Sequence, residues 1–337
     1  EKICKSKECK LLYIGDSYQL PPVNEYKSMA FEGIRKYELT EIVRQEEDNP
    51  VLSLLNILRD DIKNNKNNFL AYLMNNRNRF DADNIKGYAV MNNDDFCKEM
   101  LTYFSDEQIT KNVDFVKIIA YTNRAVGNWN KFIRKNIIVS ANKSIITKDD
   151  LFISYITLVD EFMSIIIQNS EEYIVKDIVD YVHPKYGLKG FMVKFQAIHG
   201  GQVTSPFFVI DHTDRETLLS YVAITDRLIE DAKNASRFTR ATKWREYYKF
   251  KESSLLLCNI ADSKGQITYS RDIDYGFALS AHKSQGSTFD TVFVDLDDIV
   301  YDKYGRPYTN INEGRRRLYV ACSRCKNKLY LKWSAIK

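Results

Sequence analysis

The chain has 337 residues, 44% hydrophobic and 28% charged, with a net charge of +4, enough for two or three compact domains of ordinary globular composition. No apolar run reaches the roughly 18 residues that cross a bilayer, and no charged-then-apolar leader precedes a small-residue cleavage site, so no membrane partner is expected and the reading is intracellular. The mild basic excess permits a nucleic-acid partner without demanding one.

The first element predicted is a buried parallel strand over Leu11 to Ile14. It delivers a polar loop at Gly15-Asp16, and Pro21-Pro22 stops any helix there. Tyr37 to Thr40 reads as another short strand, followed by Arg44. Val51, Leu54, Leu55, Leu58 and Ile62 repeat at helical spacing after Pro50 at the first turn, and the polar run from Lys63 to Asn68 reads as a linker or helix end. A strand at Tyr88 to Met91 and a helix over Phe96 to Phe104 follow, with Asp94-Asp95 near the helix's positive end. The run Phe115 to Tyr121 is a strand ending in Thr122-Asn123, after which Val126, Trp129, Phe132 and Ile133 take helical spacing.

From about Val139 to about Phe250 the texture changes. Short β-branched runs (Ser164 to Gln168, Glu172 to Val175, Phe191 to Phe195, Phe207 to Ile210) are separated in places by glycine, the pattern of a small antiparallel sheet or barrel. A charged helical piece from Arg215 to about Lys251 closes it, and strand–helix alternation then resumes to the C-terminus. The six cysteines are scattered and read as free thiols, and the C-x-x-C of Cys322 and Cys325 has no second pair at zinc-finger spacing.

Several strings at strand ends carry chemistry. Gly15-Asp16-Ser17-Tyr18-Gln19-Leu20-Pro21-Pro22-Val23 is similar to the third motif of superfamily-one helicases. Leu39-Thr40-Glu41-Ile42-Val43-Arg44-Gln45 is similar to the fourth. Ser280-Ala281-His282-Lys283-Ser284-Gln285-Gly286-Ser287 resembles the fifth, and Leu318-Tyr319-Val320-Ala321-Cys322-Ser323-Arg324-Cys325 the sixth. The set, in family order, resembles the C-terminal part of a superfamily-one DNA helicase of the RecD-like, phage Dda-like branch.

The resemblance implies an α/β fold: a RecA-like parallel sheet with flanking helices forming a second helicase domain, the tail of a first RecA-like domain, and a small β-rich SH3-like insertion. The corresponding boundaries are 1–75 for the tail of the first domain, 76–140 and 256–337 for the second, and 141–255 for the insertion. It implies ATP with Mg²⁺ as cofactor and 5′-to-3′ movement on single-stranded and fork DNA. The cell would be bacterial or phage-infected, with single-strand-binding or replication proteins as further partners. It assigns Gln19, Arg44 and Arg324 to the γ-phosphate, with Arg324 as an arginine finger. Gln285 and Gly286 take the nucleotide side of the fifth motif. Thr122, Asn123, Ser280 and His282 take the DNA backbone.

Physical chemistry fits those roles. A guanidinium stays charged and offers a planar fork to phosphate oxygens, and an amide both donates and accepts. Thr122 and Asn123 are equally suited to an ordinary helix cap. The usual acidic residue near the ribose is replaced here by Thr288. No G-x-x-x-x-G-K-[ST] loop and no D-E pair lies ahead of Leu11, so the phosphate loop is expected in an N-terminal half outside this sequence and the chain alone is expected to be inactive. Two other readings stay open: a non-enzymatic nucleic-acid-binding module, and a metal-dependent nuclease built on Asp295, Asp297 and Asp298.

Overall fold

The computed structural model describes residues 9–10, 12–21, 33, 35, 37, 45–159 and 162–336. Pro50 sets the start of helix α1 (Val51–Asn64), which buries Val51, Leu54, Leu55, Leu58 and Ile62 on one face and ends where Asn65 turns left-handed at φ 54°. Asp61, buried near its end, accepts the amides of Asn68 and Phe69 at 3.0 and 2.9 Å, and so starts helix α2 (Asn68–Asn75). Next come strands β1 (Asn78–Phe80) and β2 (Gly87–Met91), helix α3 (Asn93–Phe104), strand β3 (Val116–Ala120) and helix α4 (Asn123–Ile137).

Short strands then take over: β4 (Leu151–Ser154), β5 (Leu158–Val159), β6 (Ile165–Ile167), β7 (Glu172–Val182), β8 (Lys189–Ala197) and β9 (Phe207–Ile210). Helices α5 (Arg215–Asn234) and α6 (Arg240–Glu252) follow. Strands β10 (Ile260–Ala261), β11 (Ile267–Tyr269), β12 (Ile273–Tyr275), β13 (Ala278–Ser280) and β14 (Phe289–Asp295) come next. Helices α7 (Leu296–Val300) and α8 (Ile311–Ser323) lead to β15 (Cys325–Lys332).

These elements gather into two units, both discontinuous in sequence: Glu1–Glu99 with Lys117–Val126 and Leu279–Lys337, and Met100–Val116 with Gly127–Ala278. The first unit carries a sheet in the order β1-β2-β15-β14-β3-β13. β15 runs parallel to both β14 and β2, and β1 closes the edge antiparallel. β3 is buried throughout and β14 at all but one residue, as parallel strands covered on both faces must be. Phe96 of α3 meets Phe293 edge-on at 5.3 Å, and Phe293 stacks on Tyr330 at 4.8 Å.

The second unit is an antiparallel sheet in the order β12-β4-β7-β8-β9. Beneath it Leu188, Phe208, Ile210, Tyr221, Phe250, Leu256 and Tyr269 form a core shared by the sheet, α5 and α6. Gly190 is required where β8 meets β9, since a Cβ there would lie 2.2 Å from the Val209 carbonyl. Arg134 clamps Asp150 with two hydrogen bonds of 2.8 and 2.9 Å, both groups buried.

Three expectations change. Leu12 and Ile14, expected in a buried parallel strand, are exposed and outside any strand. A parallel strand is buried by neighbours on its edges and faces, and no strand among the described residues pairs with this segment. Tyr37 is likewise exposed, while Leu11 and residues 38–44, including Arg44, lie outside the described residues. Strand β7 runs past Val175 to Val182 because Ile178, Val179, Tyr181 and Val182 continue the ladder with β8 beyond a bulge.

Candidate functional site

Helix α8 and the junction into β15 organise the site, and the motif segments of the first unit meet around them. The Arg316 guanidinium donates to the carbonyls of Ser17 and Gln19, the latter at 3.1 Å. The Tyr18 ring lies 5.9 Å from that of Tyr319, and Arg59 donates to the Tyr319 hydroxyl at 2.9 and 3.1 Å. Gln19 therefore sits beside the sixth motif, its side-chain amide donating to Asp16 at 3.1 Å. Gln285 of the fifth motif donates to the Leu20 carbonyl at 3.4 Å.

From the fourth motif, Gln45 is buried and its amide donates to the carbonyls of Cys325 at 2.5 Å and Ser323 at 3.3 Å. Asn49 extends the clamp to the carbonyls of Lys326 and Asn327 at 3.0 and 3.2 Å. Sequence reading assigned roles to neither, nor to Arg316 and Tyr319. Gln45 closes the L-T-x-x-x-R-Q string and Tyr319 sits inside L-Y-V-A, so for those two the motif itself was the available signal.

Arg324 ends α8 immediately before β15. It is 1% exposed and spreads over protein acceptors: the Val320 carbonyl at 3.1 Å, the Ser287 carbonyl at 3.3 Å and the Ser323 hydroxyl at 2.9 Å. The Phe289 amide donates back to the Arg324 carbonyl at 2.8 Å. The fifth and sixth motifs are thus tied together through this arginine. In the run Arg315-Arg316-Arg317, Arg315 and Arg317 are buried. Arg315 donates to Asn65 and Asn67 at 2.6 and 3.0 Å, and Arg317 lies 3.7 Å over the Tyr121 ring. The helical period explains this, since α8 needs one side buried against the sheet and long arginine stems can cover it.

The fifth motif leaves β13 in a series of tight turns, with Gly286 at φ 90°, and enters β14 directly. A left-handed glycine ends any helical turn. Ser280 accepts the Lys283 amide at 3.2 Å, and the Ala281 amide donates to the Ala120 carbonyl at 2.8 Å. His282 is half-buried with its ring 6.3 Å from Tyr121. Burial lowers its pKa below the ordinary 6.5, against an upward pull from Glu313 and with a further downward push from Arg317.

Ala120-Tyr121-Thr122-Asn123 does follow β3 and open α4. Thr122 caps it, its hydroxyl accepting the Ala125 amide at 3.1 Å. The backbone amides of Tyr121 and Thr122 donate to Asp298, each at 2.8 Å. The other acidic neighbours are also engaged, Asp295 by Lys332 at 2.8 Å and Asp297 by the Ser334 amide and hydroxyl at 3.1 and 2.9 Å. Lys332 also reaches Asp297 at 3.7 Å, and no metal-holding His/Cys/Asp/Glu group stands among the described residues. Cys322 and Cys325 are buried free thiols, and burial pushes the Cys322 thiol up to about 12.

Residues 275–332, spanning the fifth and sixth motif strings, match the UvrD-like helicase C-terminal domain family. Over 95% of its length the chain is 22% identical to uncharacterized protein R530 of Acanthamoeba polyphaga mimivirus, covering 68% of that protein. Among solved structures it is similar to the Pif1 helicase of Candida albicans (18% identity, TM-score 0.44, 95% of this chain and 62% of the other). It is also similar to Bacteroides Pif1 solved with ADP-AlF3 and single-stranded DNA (15% identity, TM-score 0.42, 94% and 60%). The chain thus spans 60 to 62% of the length of these solved chains. No helix among the described residues is long and apolar enough to cross a membrane.

Proposed function

We propose that the chain is the C-terminal motor portion of an ATP-dependent DNA helicase of superfamily one, of the RecD-like, Dda-like branch, translocating 5′ to 3′ on single-stranded DNA and opening forks. In this reading residues 1–75 end a first RecA-like domain, 76–140 and 256–337 form the second, and 141–255 form an SH3-like insertion. The observation that carries it is the meeting of the third, fourth, fifth and sixth motif segments around α8, through Arg316 to Gln19, Gln285 to Leu20, Gln45 to Cys325 and Arg324 to Ser287. Strings far apart in sequence that fold onto one junction act as a unit.

The residues present fit the terminal phosphates of ATP better than its metal. Gln19, Arg44, Gln285, the Gly286 amide and Arg324 supply hydrogen-bond donors, whereas no carboxylate cluster suited to Mg²⁺ stands among the described residues. An upstream domain with a phosphate loop would hold the metal and bulk of the triphosphate, and the nucleotide supplies the phosphoryl-transfer energy. On this chain, Gln19 exchanges its hydrogen bond with Asp16 for a phosphate oxygen, and Arg324 turns from the Ser287 carbonyl toward developing negative charge. Because Arg324 also ties the fifth motif to the sixth, its movement loosens the turn that carries Ser280 and His282. That links nucleotide state to the DNA backbone contacts at Ser280, His282 and Asn123, and to Thr122 where a phosphate displaces the Asp298 carboxylate.

The test is phosphate release in the presence of single-stranded DNA. The chain alone is expected to give negligible turnover, and a polypeptide extended upstream by about one domain of 150 residues to give robust turnover. In the extended protein Arg324→Ala is expected to abolish hydrolysis while DNA binding is largely kept. Robust hydrolysis by the isolated chain, or parallel loss of both activities with Arg324→Ala, would overturn the assignment.

A further inference from the structure

Helix α6 is anchored to its unit by Phe250 and by the Lys251–Asp272 pair, and the rest of its surface is cationic and aromatic. Between Ser236 and Glu252 six Lys and Arg stand against two Glu, an excess as large as the +4 of the whole chain. Of the thirteen residues of α6 only Phe250 is buried, so the helix does not present an ordinary apolar stripe to the core. Its aromatic residues cluster near the surface. Trp244 lies 5.7 Å from Tyr247 and 6.1 Å from Tyr248, and Tyr248 is 55% exposed. Phe238, just ahead of the helix, is 94% exposed. Tyr248 is exposed while Trp244 and Tyr247 are half-buried, so the rings gather at the surface of a cationic helix rather than in a core stripe.

Helical spacing sorts these residues. Arg240, Trp244 and Tyr248 follow one another at every fourth position, and Arg245 and Lys249 form the adjacent row. Lys243 and Lys251 have structural partners in Glu246 and Asp272. Arg237, Arg240, Arg245 and Lys249 are exposed. Lys249 also lines an open cleft of about 430 Å³ in the same unit, with Tyr181, His183, Phe207 and Phe208 on its walls and Glu252 at its edge. Cationic row, ring cluster and aromatic cleft therefore form one continuous surface.

We propose that this surface binds single-stranded nucleic acid, the cations tracking phosphates and the rings of Trp244 and Tyr248 stacking on bases. Charge complementarity selects a polyanion. The rings of exposed Tyr248 and half-buried Trp244 select unpaired bases over a duplex, whose bases are already stacked. The surface shares no residue with Thr122, Asn123, Ser280 and His282, and it rests on the nucleic-acid part of the reading above, not on its motor part.

The test needs no nucleotide and uses the full chain with oligothymidylate. Trp129 and Trp333 are buried at 9% and 5% exposure and shielded from direct stacking, so quenching by a bound oligonucleotide reports mainly on Trp244. Binding is expected to quench it, and Trp244→Phe to remove the quench. The combined Arg240→Gln, Arg245→Gln, Lys249→Gln variant, altered only at exposed positions, is expected to lose roughly tenfold or more in affinity at low salt, with a log–log salt slope smaller by about 2. Unchanged affinity and slope in that variant, or wild-type binding by anisotropy without quenching, would overturn this surface while leaving the helicase reading standing. A chain that binds no oligothymidylate would remove the nucleic-acid reading together with this surface. Equal binding of a blunt duplex would overturn the single-strand assignment.

Discussion

Asp298 and Thr122, 176 residues apart in sequence, are joined by two hydrogen bonds: the Thr122 amide donates to one carboxylate oxygen at 2.8 Å and its hydroxyl to the other at 2.7 Å. The same carboxylate takes the Tyr121 amide, so it fills the position at the start of α4 that an incoming phosphate oxygen would want. Removing it strips three hydrogen bonds from a partly buried junction. Asp298→Ala is expected to lower stability by about 2 kcal/mol in urea denaturation, and Asp298→Asn by less, since its side-chain oxygen can still accept both backbone amides, which share one oxygen of Asp298. A melting curve unchanged in Asp298→Ala would show that the carboxylate does not hold this junction.

Arg324 is expected to behave as a structural residue as well as a candidate finger. Its guanidinium satisfies the carbonyls of Val320 and Ser287. Arg324→Ala leaves those acceptors unmet and a space behind, which should cost about 2–4 kcal/mol. Arg324→Lys keeps the charge but not the planar fork, and is expected to recover only part of that loss. Urea midpoints of the two variants against wild type check this. Hydrolysis assays on the extended protein should therefore be run well below the melting temperature of Arg324→Ala.

Much of this was legible from local pattern. Val51, Leu54, Leu55, Leu58 and Ile62 define α1 by period alone, and the apolar run before Thr122 defines β3 because a strand buried on both faces has to read as continuous hydrophobics. Strings of fixed spacing marked Gln19, Gln285 and Arg324, and these do converge on one junction. What was hidden depended on distant partners. Nothing near Asn49 announces that its amide meets carbonyls at Lys326 and Asn327, and nothing near Asp298 announces Thr122. Arg315 and Arg317 read as surface charge because a triple-arginine run usually is, while only the packing of α8 decides which arginines turn inward. Leu12 and Ile14 show the opposite limit, since an apolar run specifies a strand only where neighbours complete the sheet.

The Arg134–Asp150 pair in the second unit provides a sharper energetic test. Both groups are buried, and Asp150 also accepts the amide and hydroxyl of Thr147 at 2.6 and 2.9 Å. Taking away one partner strands the other charge in a site it cannot leave. Asp150→Ala is expected to destabilise the chain by about 3–5 kcal/mol, whereas the double replacement Arg134→Met, Asp150→Leu should recover most of that. A double variant no more stable than Asp150→Ala would mean that the Thr147 bonds, and not the stranded arginine, set the cost.

Acid sensitivity follows from the histidines. His183, His212 and His282 all have pKa values lowered from 6.5, in each case first by burial. The folded chain therefore resists protonation at these rings while the unfolded chain accepts it. The unfolded state binds more protons once the pH drops below the ordinary histidine value, so stability rises with pH through that window. The histidine contribution is fully present above about pH 6.5 and is lost as the pH falls below it. The urea midpoint is expected to decrease from about pH 7.5 to about pH 5.5, and His212→Gln, at the most enclosed of the three rings, should flatten that decrease more than His183→Gln. A midpoint that stays level or rises over this interval would contradict the burial of these rings in the folded chain.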